Sequence, residues 1–395
     1  MNMSRPDVLV IGGAVIGSAA AHFLCEMARP PQVLVLERDP TYTGCATTRS
    51  LASIRHQFST PLNVAISMFG TAFIREAAQR LEVPGTPAVD LVFREAGYLF
   101  LASAAGREQL EANHAVQRAC GADVALLDPE ALRQRFPWLH VDDLAAGSLG
   151  LRGEGWIDAH ALMHGLRRRA AWRGARWQHA EAVSLEREGS RVVAVRLADG
   201  TRLSPGLVIL AAGTRAAALA ATAGIDLPVR ARRRCVFRFR SPERAPGCPL
   251  VIDPSGVYVR PEGDGYLCGV APGEHEDPDV APDDFEVDHA LWEERLWPVL
   301  AQRVPGFEAA RVGSSWAGHY DVNVLDHNAI VGLHPDVDNL LFANGYSGHG
   351  VQQAPAVGRA LAEWVEHGGW RTLDFRPLGW SRVLRGEPLR EVNVV

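Results

Sequence analysis

The chain has 395 residues, of which 47% are hydrophobic and 22% charged, values typical of a globular protein large enough for two domains. Its formal net charge of −6 argues against a general nucleic-acid binder. All 40 basic residues are arginine, and the absence of lysine excludes a lysine Schiff base, ordinary pyridoxal-phosphate chemistry and the lysine of a P-loop.

The cysteines and the apolar runs indicate where the protein works. The six cysteines include no Cys-x-x-Cys pair, so we expect reduced thiols, with no disulfide framework and no metal site. No apolar run approaches the ~20 residues of a membrane span. A strand begins by Val8, which leaves no room for a signal peptide. We therefore expect a cytoplasmic protein without a membrane span.

The first part of the chain has the order strand, glycine-rich turn, helix and second strand. Residues 8–11 form a short apolar run, residues 18–28 carry apolar side chains at helical spacing, and residues 33–36 form a second apolar run that ends at Glu37. This is the order of a βαβ unit that binds a dinucleotide. The alternative is an ordinary buried βαβ unit, but the acidic residue at the end of the second strand favours dinucleotide binding.

Each residue of this turn has a physical purpose. Gly12 permits the sharp strand-to-helix turn, and Gly17 lets the helix and strand pack closely. Ala14 stands where the fingerprint has its second glycine, and Gly13 beside it keeps the turn flexible. The helix N-terminus directs N–H groups and its positive dipole end at a pyrophosphate, while Glu37 can accept hydrogen bonds from ribose hydroxyls.

Periodicity and turn residues predict the remaining elements. A loop of small and hydroxylated residues covers 41–53, and the acidic, proline-containing residues 274–288 predict a solvated loop. Six arginines within 230–240 predict a strand with one solvated face. The predicted helices cover 63–81, 107–120, 128–136, 158–172, 289–304 and 351–367. The predicted strands are a pair within 89–101, a hairpin within 183–203, and single strands at 207–210, 228–240, 257–260, 266–270 and 340–343.

Three separated segments, residues 8–37, 207–213 and 316–362, resemble the D-amino-acid oxidase superfamily of flavoenzymes. The last segment reads W-A-G-H-Y-D-V-N-V-L-D-H-N-A-I-V-G and then L-L-F-A-N-G-Y-S-G-H-G-V-Q-Q-A-P-A-V-G-R-A-L-A. The sequence is most similar to the sarcosine and dimethylglycine oxidase/dehydrogenase branch, and the resemblance spans nearly the whole chain. The G-Y-S-G-H-G turn before a helix is more specific than the first motif, which NAD enzymes share. The resemblance therefore implies FAD rather than NAD.

The resemblance also implies the fold. We expect an α/β protein in which a Rossmann-like FAD-binding domain is interleaved with a smaller α+β substrate domain built on a mostly antiparallel sheet. The expected segments are 1–85, 144–225 and 318–368 for the FAD-binding domain, 86–143 and 226–317 for the substrate domain, and 369–395 for a C-terminal tail.

The same resemblance assigns residues to the cofactor. The glycines of the first turn and Glu37 would hold the ADP half, Val183 would line the adenine pocket, and Gly213 would approach FAD by its backbone. Residues 348–353 would open a helix under the flavin, where N–H groups stabilise the negative charge of the reduced ring. The predicted cofactor-binding residues are Gly12, Gly13, Ala14, Gly17, Glu37, Arg38, Thr47, Thr48, Ser50, Ser53, Val183, Ala212, Gly213, Gly318, Gly345, Gly348, His349, Gly350, Val351 and Gln352.

A second set of residues is implied for the substrate. Arg55 matches a carboxylate-binding arginine of the sarcosine oxidase branch, and a guanidinium binds a carboxylate bidentately. Tyr258 and Arg260 point the same way by period two, and an ordinary alternating strand is the alternative. His319 stands where monomeric sarcosine oxidase has the cysteine that carries covalent flavin. We therefore expect non-covalent FAD, with a histidyl link as the alternative. The predicted catalytic residues are Arg55, His56, Tyr258, Tyr320 and His349.

The implied reaction is oxidation of a small amino acid or secondary (N-alkyl) amine to an imine by hydride transfer to flavin. The chain departs from the family at two lysines, one soon after G-H-G, near Gln352, and one over the flavin that assists oxygen reduction. Sarcosine itself, and oxygen as electron acceptor, therefore stay open. The alternatives are a 2-hydroxy-acid dehydrogenase, with His56 or His349 as base, and a non-catalytic or partner-dependent flavoprotein subunit or assembly factor.

Overall fold

A computed structural model describes residues 4–273 and 276–392. The helices are α1 Val15–Leu24, α2 Pro61–Arg75, α3 Ala77–Arg80, α4 Arg107–Ala119, α5 Pro129–Arg135, α6 Ala159–Trp172, α7 Ala216–Ala221, α8 Trp297–Arg303, α9 Gly350–His367 and α10 Trp380–Arg385. The strands are β1 Val8–Ile11, β2 Val33–Glu37, β3 Ser53–Ile54, β4 Tyr98–Ala102, β5 Val124–Leu127, β6 Ala146–Gly150, β7 Gly155–Trp156, β8 Arg176–His179, β9 Ala182–Glu188, β10 Arg191–Leu197, β11 Arg202–Leu203, β12 Leu207–Leu210, β13 Val229–Arg240, β14 Leu250–Ile252, β15 Val257–Glu262, β16 Gly265–Val270, β17 Arg311–Asn323, β18 Ile330–His334 and β19 Val337–Asn344.

A six-stranded sheet in the order β18-β19-β12-β1-β2-β8 carries the first βαβ unit. β1 pairs in parallel with β2 and β12, so that Val10 lies opposite both Val35 and Ile209. These strands are buried on both faces, which is why they read as unbroken apolar runs in the sequence. α1 packs against α6 and α9 on one face of this sheet. This arrangement brings the beginnings of α1 and α9 to the same edge of the sheet.

An eight-stranded sheet has the order β17-β13-β16-β15-β14-β4-β6-β5. Its neighbours are antiparallel except for β14 and β4, which are parallel. Its core is rich in aromatic side chains, with Phe239 stacked on Tyr266 and packed edge-on against Phe307. The expected fold, a Rossmann-like unit interleaved with a mostly antiparallel sheet, is confirmed.

Two of the expected domain boundaries cut across the eight-stranded sheet. β6 lies in the segment expected to begin at 144, yet it pairs with β4 and β5. β17 runs without a break along β13 and crosses the boundary expected at 318. Because β6 pairs within this sheet and the ladder of β17 continues past residue 318, we place the first boundary after β6 and the second after β17.

Several elements differ from the sequence expectations at their ends. The helix expected over 63–81 is two helices, α2 and α3, and the helix expected over 18–28 ends at Leu24. Only the second strand of the pair expected within 89–101 forms, because Val92 has a φ of 49° and Arg94 makes an isolated bridge. The hairpin expected within 183–203 is the three-stranded sheet β11-β10-β9, since the chain also turns at Gly189, with a φ of 57°.

The acidic segment, in the described residues 276–288, is partly exposed and pairs on its inner side with the arginines of β13. The carboxylate of Asp277 binds both terminal nitrogens of Arg234 at 2.7 and 2.8 Å, with both side chains largely buried. Asp279 pairs with Arg232 at 3.0 Å, and the Val280 N–H donates to the backbone of β13. The predictions of a solvated loop and a solvated arginine face are therefore wrong for Asp277 and Arg234, which are largely buried against each other, while outer residues such as Asp279 and Asp283 stay exposed.

No helix within the described part of the chain is both long and apolar enough to cross a bilayer.

Candidate active site

A cavity of about 400 Å³ lies where β1, β2 and β12 end and where α1 and α9 begin. Gly12 and Glu37 line one end of it, and Gly348 and Val351 line the other. The two glycine-rich turns, far apart in sequence, therefore meet at a single cavity, as the sequence predicts. Its volume lies within the range of small-molecule and cofactor sites.

The beginning of α1 is shaped by two glycines. Gly12 has a φ of +99°, and a Cβ atom there would lie 2.3 Å from the carbonyl oxygen of Ala211. A Cβ atom at Gly17 would lie 1.8 Å from the carbonyl oxygen of Gly12. No side chain of the N-cap residue caps α1, and its first turn holds no acidic residue, while the Val15 N–H donates to Thr47 Oγ1 at 3.3 Å. The terminus is therefore suited to an anion.

The carboxylate of Glu37 joins the end of β2 to this turn. Its Oε2 accepts a hydrogen bond from the Gly13 N–H at 2.9 Å, and its Oε1 accepts from the Asp39 N–H at 2.8 Å. Gly13 itself lies beneath the cavity wall, because a Cβ atom there would be 3.0 Å from Trp177 Nε1 and 3.1 Å from Tyr42 Oη. Each oxygen of Glu37 keeps a lone pair for a ribose hydroxyl.

The structure divides the predicted cofactor residues into two groups. The residues on the cavity wall are Gly12, Ala14, Glu37, Arg38, Thr47, Ser50, Val183, Ala212, Gly213, Gly348, Gly350 and Val351. The predicted residues that do not line the described cavity are Gly13, Gly17, Thr48, Ser53, Gly318, Gly345, His349 and Gln352.

Members of the second group support the wall instead. The Thr48 hydroxyl donates to the Tyr42 carbonyl at 2.6 Å, and Ser53 pairs with Trp156 where β3 meets β7. Gly318 packs against Arg49, where a Cβ atom would lie 3.1 Å from the arginine Cβ. These contacts shape the loop beside the cavity, and a direct contact of these residues with the cofactor stays a prediction.

The beginning of α9 forms the other end of the cavity. Gly348 has a φ of +96°, and a Cβ atom there would meet the Tyr320 ring at 2.4 Å. His349 is the N-cap of α9, without a side-chain cap hydrogen bond, and the first turn holds no acidic residue. The Gly345 N–H donates to Asp321 Oδ2 at 2.9 Å, and burial raises the pKa of Asp321 to about 6. Sequence reasoning missed Asp321, since no motif marks it as a residue of the cavity wall.

Arg55 is a buried cation next to this second terminus. Its guanidinium carbon lies 4.1 Å from the centre of the Phe58 ring and 5.5 Å from that of Phe100. The guanidinium donates to the Gln57 carbonyl, and its Nη2 lies 3.1 Å from His349 Nε2. Burial lowers the pKa of Arg55, but an arginine stays charged at any physiological pH.

This contact fixes the protonation of His349. A guanidinium only donates hydrogen bonds, so His349 Nε2 is the acceptor and a neutral ring carries its proton on Nδ1. Burial, and then the charge of Arg55, hold the pKa of His349 well below its usual value of 6.5. Nε2 is therefore occupied and unsuited to accept a proton from a substrate.

Two of the predicted site residues are engaged by neighbouring side chains and backbone. The ring of His56 lies against α2, with Nε2 2.8 Å from Thr71 Oγ1, and burial lowers its pKa to about 4. The carbonyl oxygen of the Gln352 side chain accepts from the Arg55 N–H at 2.9 Å and from the Ser67 hydroxyl at 3.3 Å. His56 therefore packs against α2, and Gln352 supports the backbone of Arg55.

Tyr258 and Arg260 both lie on the buried face of β15, as their spacing predicts. Tyr258 packs in a cluster with Tyr98 and Phe100, the rings that neighbour Arg55. Arg260 lies over the Trp156 ring, 4.9 Å from its centre. Neither residue lines the described cavity, so Tyr258 contributes to the aromatic surroundings of Arg55 and Arg260 to the support beneath them.

Tyr320 and His319 line the cavity from β17. The guanidinium of Arg234 lies 5.0 Å from the centre of the Tyr320 ring. His319 stacks on Phe285 with ring centres 4.4 Å apart, and its Nε2 is 2.6 Å from the carbonyl oxygen of Asp284. The acidic segment thus reaches the cavity, a contribution that its composition alone did not indicate.

Comparison with known proteins agrees with this geometry. Residues 7–364 match the DAO family of FAD-dependent oxidoreductases. This chain belongs to the DAO family. It is 40% identical to FAD-dependent oxidoreductase domain-containing protein 1 of Xenopus laevis, over 99% of this chain and 85% of that protein.

Two further proteins resemble this chain, one by sequence and one by its solved structure. The chain is 25% identical to monomeric sarcosine oxidase of Bacillus sp. (strain B-0618), over 90% of this chain and 91% of the oxidase. The structure of L-proline dehydrogenase from P. horikoshii superposes with a TM-score of 0.84 and 23% identity, covering 97% of this chain and 99% of that one. The fold of this DAO-family chain is therefore shared along its whole length.

The cavity of this DAO-family protein fits FAD. Two helix N-termini without side-chain caps or acidic first turns begin at opposite ends of one cavity, as an elongated anionic cofactor requires. The hydroxyl of Tyr346, on the cavity wall, makes no hydrogen bond to any described residue. The prediction of FAD as the cofactor is confirmed by the family.

Proposed function

We propose that this protein oxidises a small amino acid or secondary amine to an imine with FAD as its cofactor. The observation that carries the proposal is the buried guanidinium of Arg55, which lies beside His349, the N-cap residue of α9, among aromatic rings. Arg55 does not line the described cavity, but it lies beside His349, whose neighbours Gly348 and Gly350 do, and a buried cation there suits a substrate that brings a carboxylate. Monomeric sarcosine oxidase, the relative described above, is named for an N-methyl amino acid.

Each part of the site has a role in this proposal. Arg55 binds the substrate carboxylate and sets its orientation, and bound FAD supplies the two-electron acceptor for the α-carbon hydride. Tyr98, Phe100 and Tyr258 exclude water from the amine, and Tyr320 covers the wall between amine and cofactor. Orientation of the reacting carbon does most of the work, so the site requires no strong general base.

The 2-hydroxy-acid alternative is less well supported by the side chains present. Oxidation of a hydroxyl requires a base close to it, and the two histidines considered for that role are both engaged. His56 faces Thr71, and His349 accepts from Arg55. We therefore favour the amine.

We also propose that FAD is held without a covalent bond and that the protein works on a small molecule, alone or with a partner subunit. The ring of His319 is held between Phe285 and the Asp284 carbonyl. Acid precipitation of the purified protein is expected to release all of its FAD into the supernatant. Flavin that stays with the pellet would indicate a covalent link.

Anaerobic titration of the FAD-loaded protein tests the proposed reaction. We expect N-methyl amino acids, cyclic amino acids or other small amino acids to bleach the visible flavin band. The matching 2-hydroxy acids are the control panel, and bleaching by them alone would overturn the proposal. Absence of bleaching by every compound, together with a protein that co-purifies in fixed ratio, would favour a partner-dependent subunit.

A further inference from the structure

A buried carboxyl group, Glu154, lies outside the residues already assigned. Its side chain is fully buried, in the turn between β6 and β7. Gly153 and Gly155 flank it with φ values of +77° and +150°, and a Cβ atom at Gly150 would lie 1.8 Å from Glu154 Oε2. The backbone is thus shaped around this carboxyl, because glycine is required on both sides of it and beneath it.

Glu154 binds the segment that carries Arg55, which we call the Arg55 loop, residues 55–58. Oε1 of Glu154 accepts from the His56 N–H at 2.6 Å, and Oε2 accepts from Gln57 Nε2 at 2.8 Å. The same Gln57 nitrogen also donates to the Tyr98 carbonyl on β4 at 2.9 Å. One carboxyl group therefore fixes both the backbone of the loop and its distance from the aromatic cluster.

A second buried carboxyl group, Glu391 in the C-terminal tail, binds the chain directly after the loop. It accepts from the Ser59 N–H at 2.7 Å and from Asn63 Nδ2 at 3.0 Å. Both carboxyl groups act on the Arg55 charge through space and raise the pKa of Arg55, against the larger effect of burial. Carboxyl groups at both ends of the Arg55 loop thus partly balance the positive charge of Arg55.

The charged and titratable groups that face Glu154 are few. They are Arg55 and His56 on the loop, Tyr98 on β4 and, beyond Gly153, the ion pair of Arg75 and Glu95. Burial raises the pKa of Tyr98 to about 12 and lowers that of His56 to about 4, so neither changes charge near neutral pH. Burial raises the pKa of Glu154 to about 7, against its hydrogen bonds and the Arg55 charge.

We propose that Glu154 is the positioning residue of the Arg55 loop, and that its negative charge is exchanged for that of the substrate carboxylate. Glu154 balances Arg55 while the site is empty of substrate. When a carboxylate binds Arg55, it neutralises the charge that stabilises the anionic form of Glu154. Glu154 then takes up a proton from the buffer. This inference rests on the proposed function, since it requires a carboxylate at Arg55.

Calorimetric titration of the FAD-loaded protein with acetate tests the exchange. Titrations near neutral pH in phosphate and in Tris, whose ionisation enthalpies differ, count the protons taken up per acetate bound. We expect a fraction of a proton for the wild type and none for Glu154→Gln, whose neutral side chain matches the acetate-bound form and should bind acetate at least as tightly as the wild type. Glu363→Gln is the matched control, because Glu363 is also buried but binds Arg359 and the 371–372 backbone.

A measurement on the wild type keeps the proposal testable should Glu154→Gln fail to fold. Above about pH 7 the affinity for acetate should fall by up to ~10-fold per pH unit, while that for acetamide stays constant. A flat acetate profile, or unchanged proton uptake in Glu154→Gln, would overturn the role of Glu154 alone. Failure of the wild type to bind acetate, or equal binding by Arg55→Met, would instead refute the carboxylate site of the proposed function.

Discussion

The two helix N-termini that meet at the cavity are built in different ways. The beginning of α1 is made of backbone, with Gly12 and Gly17 packed against carbonyl oxygens of neighbouring chain. The beginning of α9 is surrounded by side chains from distant segments, including Arg55 from the loop before α2 and Tyr320 from β17. The first end depends on the absence of side chains, and the second on buried charges and rings held in place. Substitutions should therefore affect cofactor binding at one end and substrate binding at the other.

The largest effect is expected at the α1 end, for Gly12→Val. The new side chain would overlap the Ala211 carbonyl and adopt a strained φ. Overpacking of about 1–3 kcal/mol and backbone strain of about 1–3 kcal/mol together weaken FAD binding by ~30-fold or more. FAD per chain after desalting measures this. Gly85→Val is the control, because Gly85 also has a positive φ but no atoms near its Cβ position. Full occupancy in Gly12→Val would contradict the backbone account.

At the α9 end, Arg55→Met should lose carboxylate binding and keep FAD. Loss of one partner of a buried charge pair costs about 2–5 kcal/mol, or ~30-fold and more in the Kd for acetate. Arg303→Met is the control, since Arg303 is equally buried but pairs with Asp143 and Asp253 in the other sheet. If Arg55→Met lost FAD and kept acetate binding, the division between the two ends would be wrong.

His349→Leu tests the contact between Arg55 and α9. The substitution leaves Arg55 Nη2 without its histidine acceptor, a loss of about 1–3 kcal/mol, or ~5- to 150-fold in the Kd for acetate. FAD occupancy should change little. Tighter acetate binding in the variant would show that His349 competes with the substrate rather than holding Arg55 ready for it.

His22, a buried histidine within α1, should affect stability and not the binding of acetate or FAD. Both of its ring nitrogens lack a hydrogen-bond partner among the described residues, and burial lowers its pKa to about 3. Below pH 6.5 the unfolded chain therefore binds a proton at His22 that the folded protein does not. The free energy of unfolding that neutral His22 contributes is complete above pH 6.5 and is lost as the pH falls. Between pH 7 and 5, urea unfolding of His22→Leu should lose about 2 kcal/mol less stability than the wild type. Equal losses of stability in the wild type and in His22→Leu would indicate that folded His22 is protonated at pH 5, as it would be with a hydrogen-bond acceptor beside it.

The smallest effect is expected for Glu37→Gln. The amide keeps one acceptor but loses the second, at a cost of about 0.5–1.5 kcal/mol, or ~2- to 12-fold in FAD affinity. Titration of apoprotein with FAD, with Glu188→Gln on the three-stranded sheet as control, measures this. A larger loss than for Gly12→Val would mean that the carboxylate, not the backbone, governs this end.

The contrast between the beginnings of α1 and α9 also explains which site residues could be predicted from the sequence. Gly12, Gly17 and Glu37 lie within one βαβ unit, so local pattern was enough to place them on one turn. His56 and His349 could not be told apart in this way, because tertiary contacts with Thr71 and Arg55 decide which of them reaches the site. Glu154 stayed hidden for a similar reason. Its role depends on a loop about a hundred residues earlier, and no local motif joins the two.

Charge composition predicted too much solvation for the acidic segment and for the arginines of β13. The acidic segment and the arginines of β13 each look solvated when considered alone. In the fold they neutralise one another, as in the largely buried pair of Asp277 and Arg234. Composition indicates solvation only where no complementary surface lies within reach.

One carboxylate of that segment has a wider consequence. Asp283 joins Arg38, which follows β2, to Arg215, which follows β12, and the adjacent Pro282 lines the cavity. All three charged side chains are 32–65% exposed, and such surface pairs contribute about 0–1 kcal/mol each and weaken with salt. We therefore expect added salt to loosen this turn at the cavity wall before it affects either sheet.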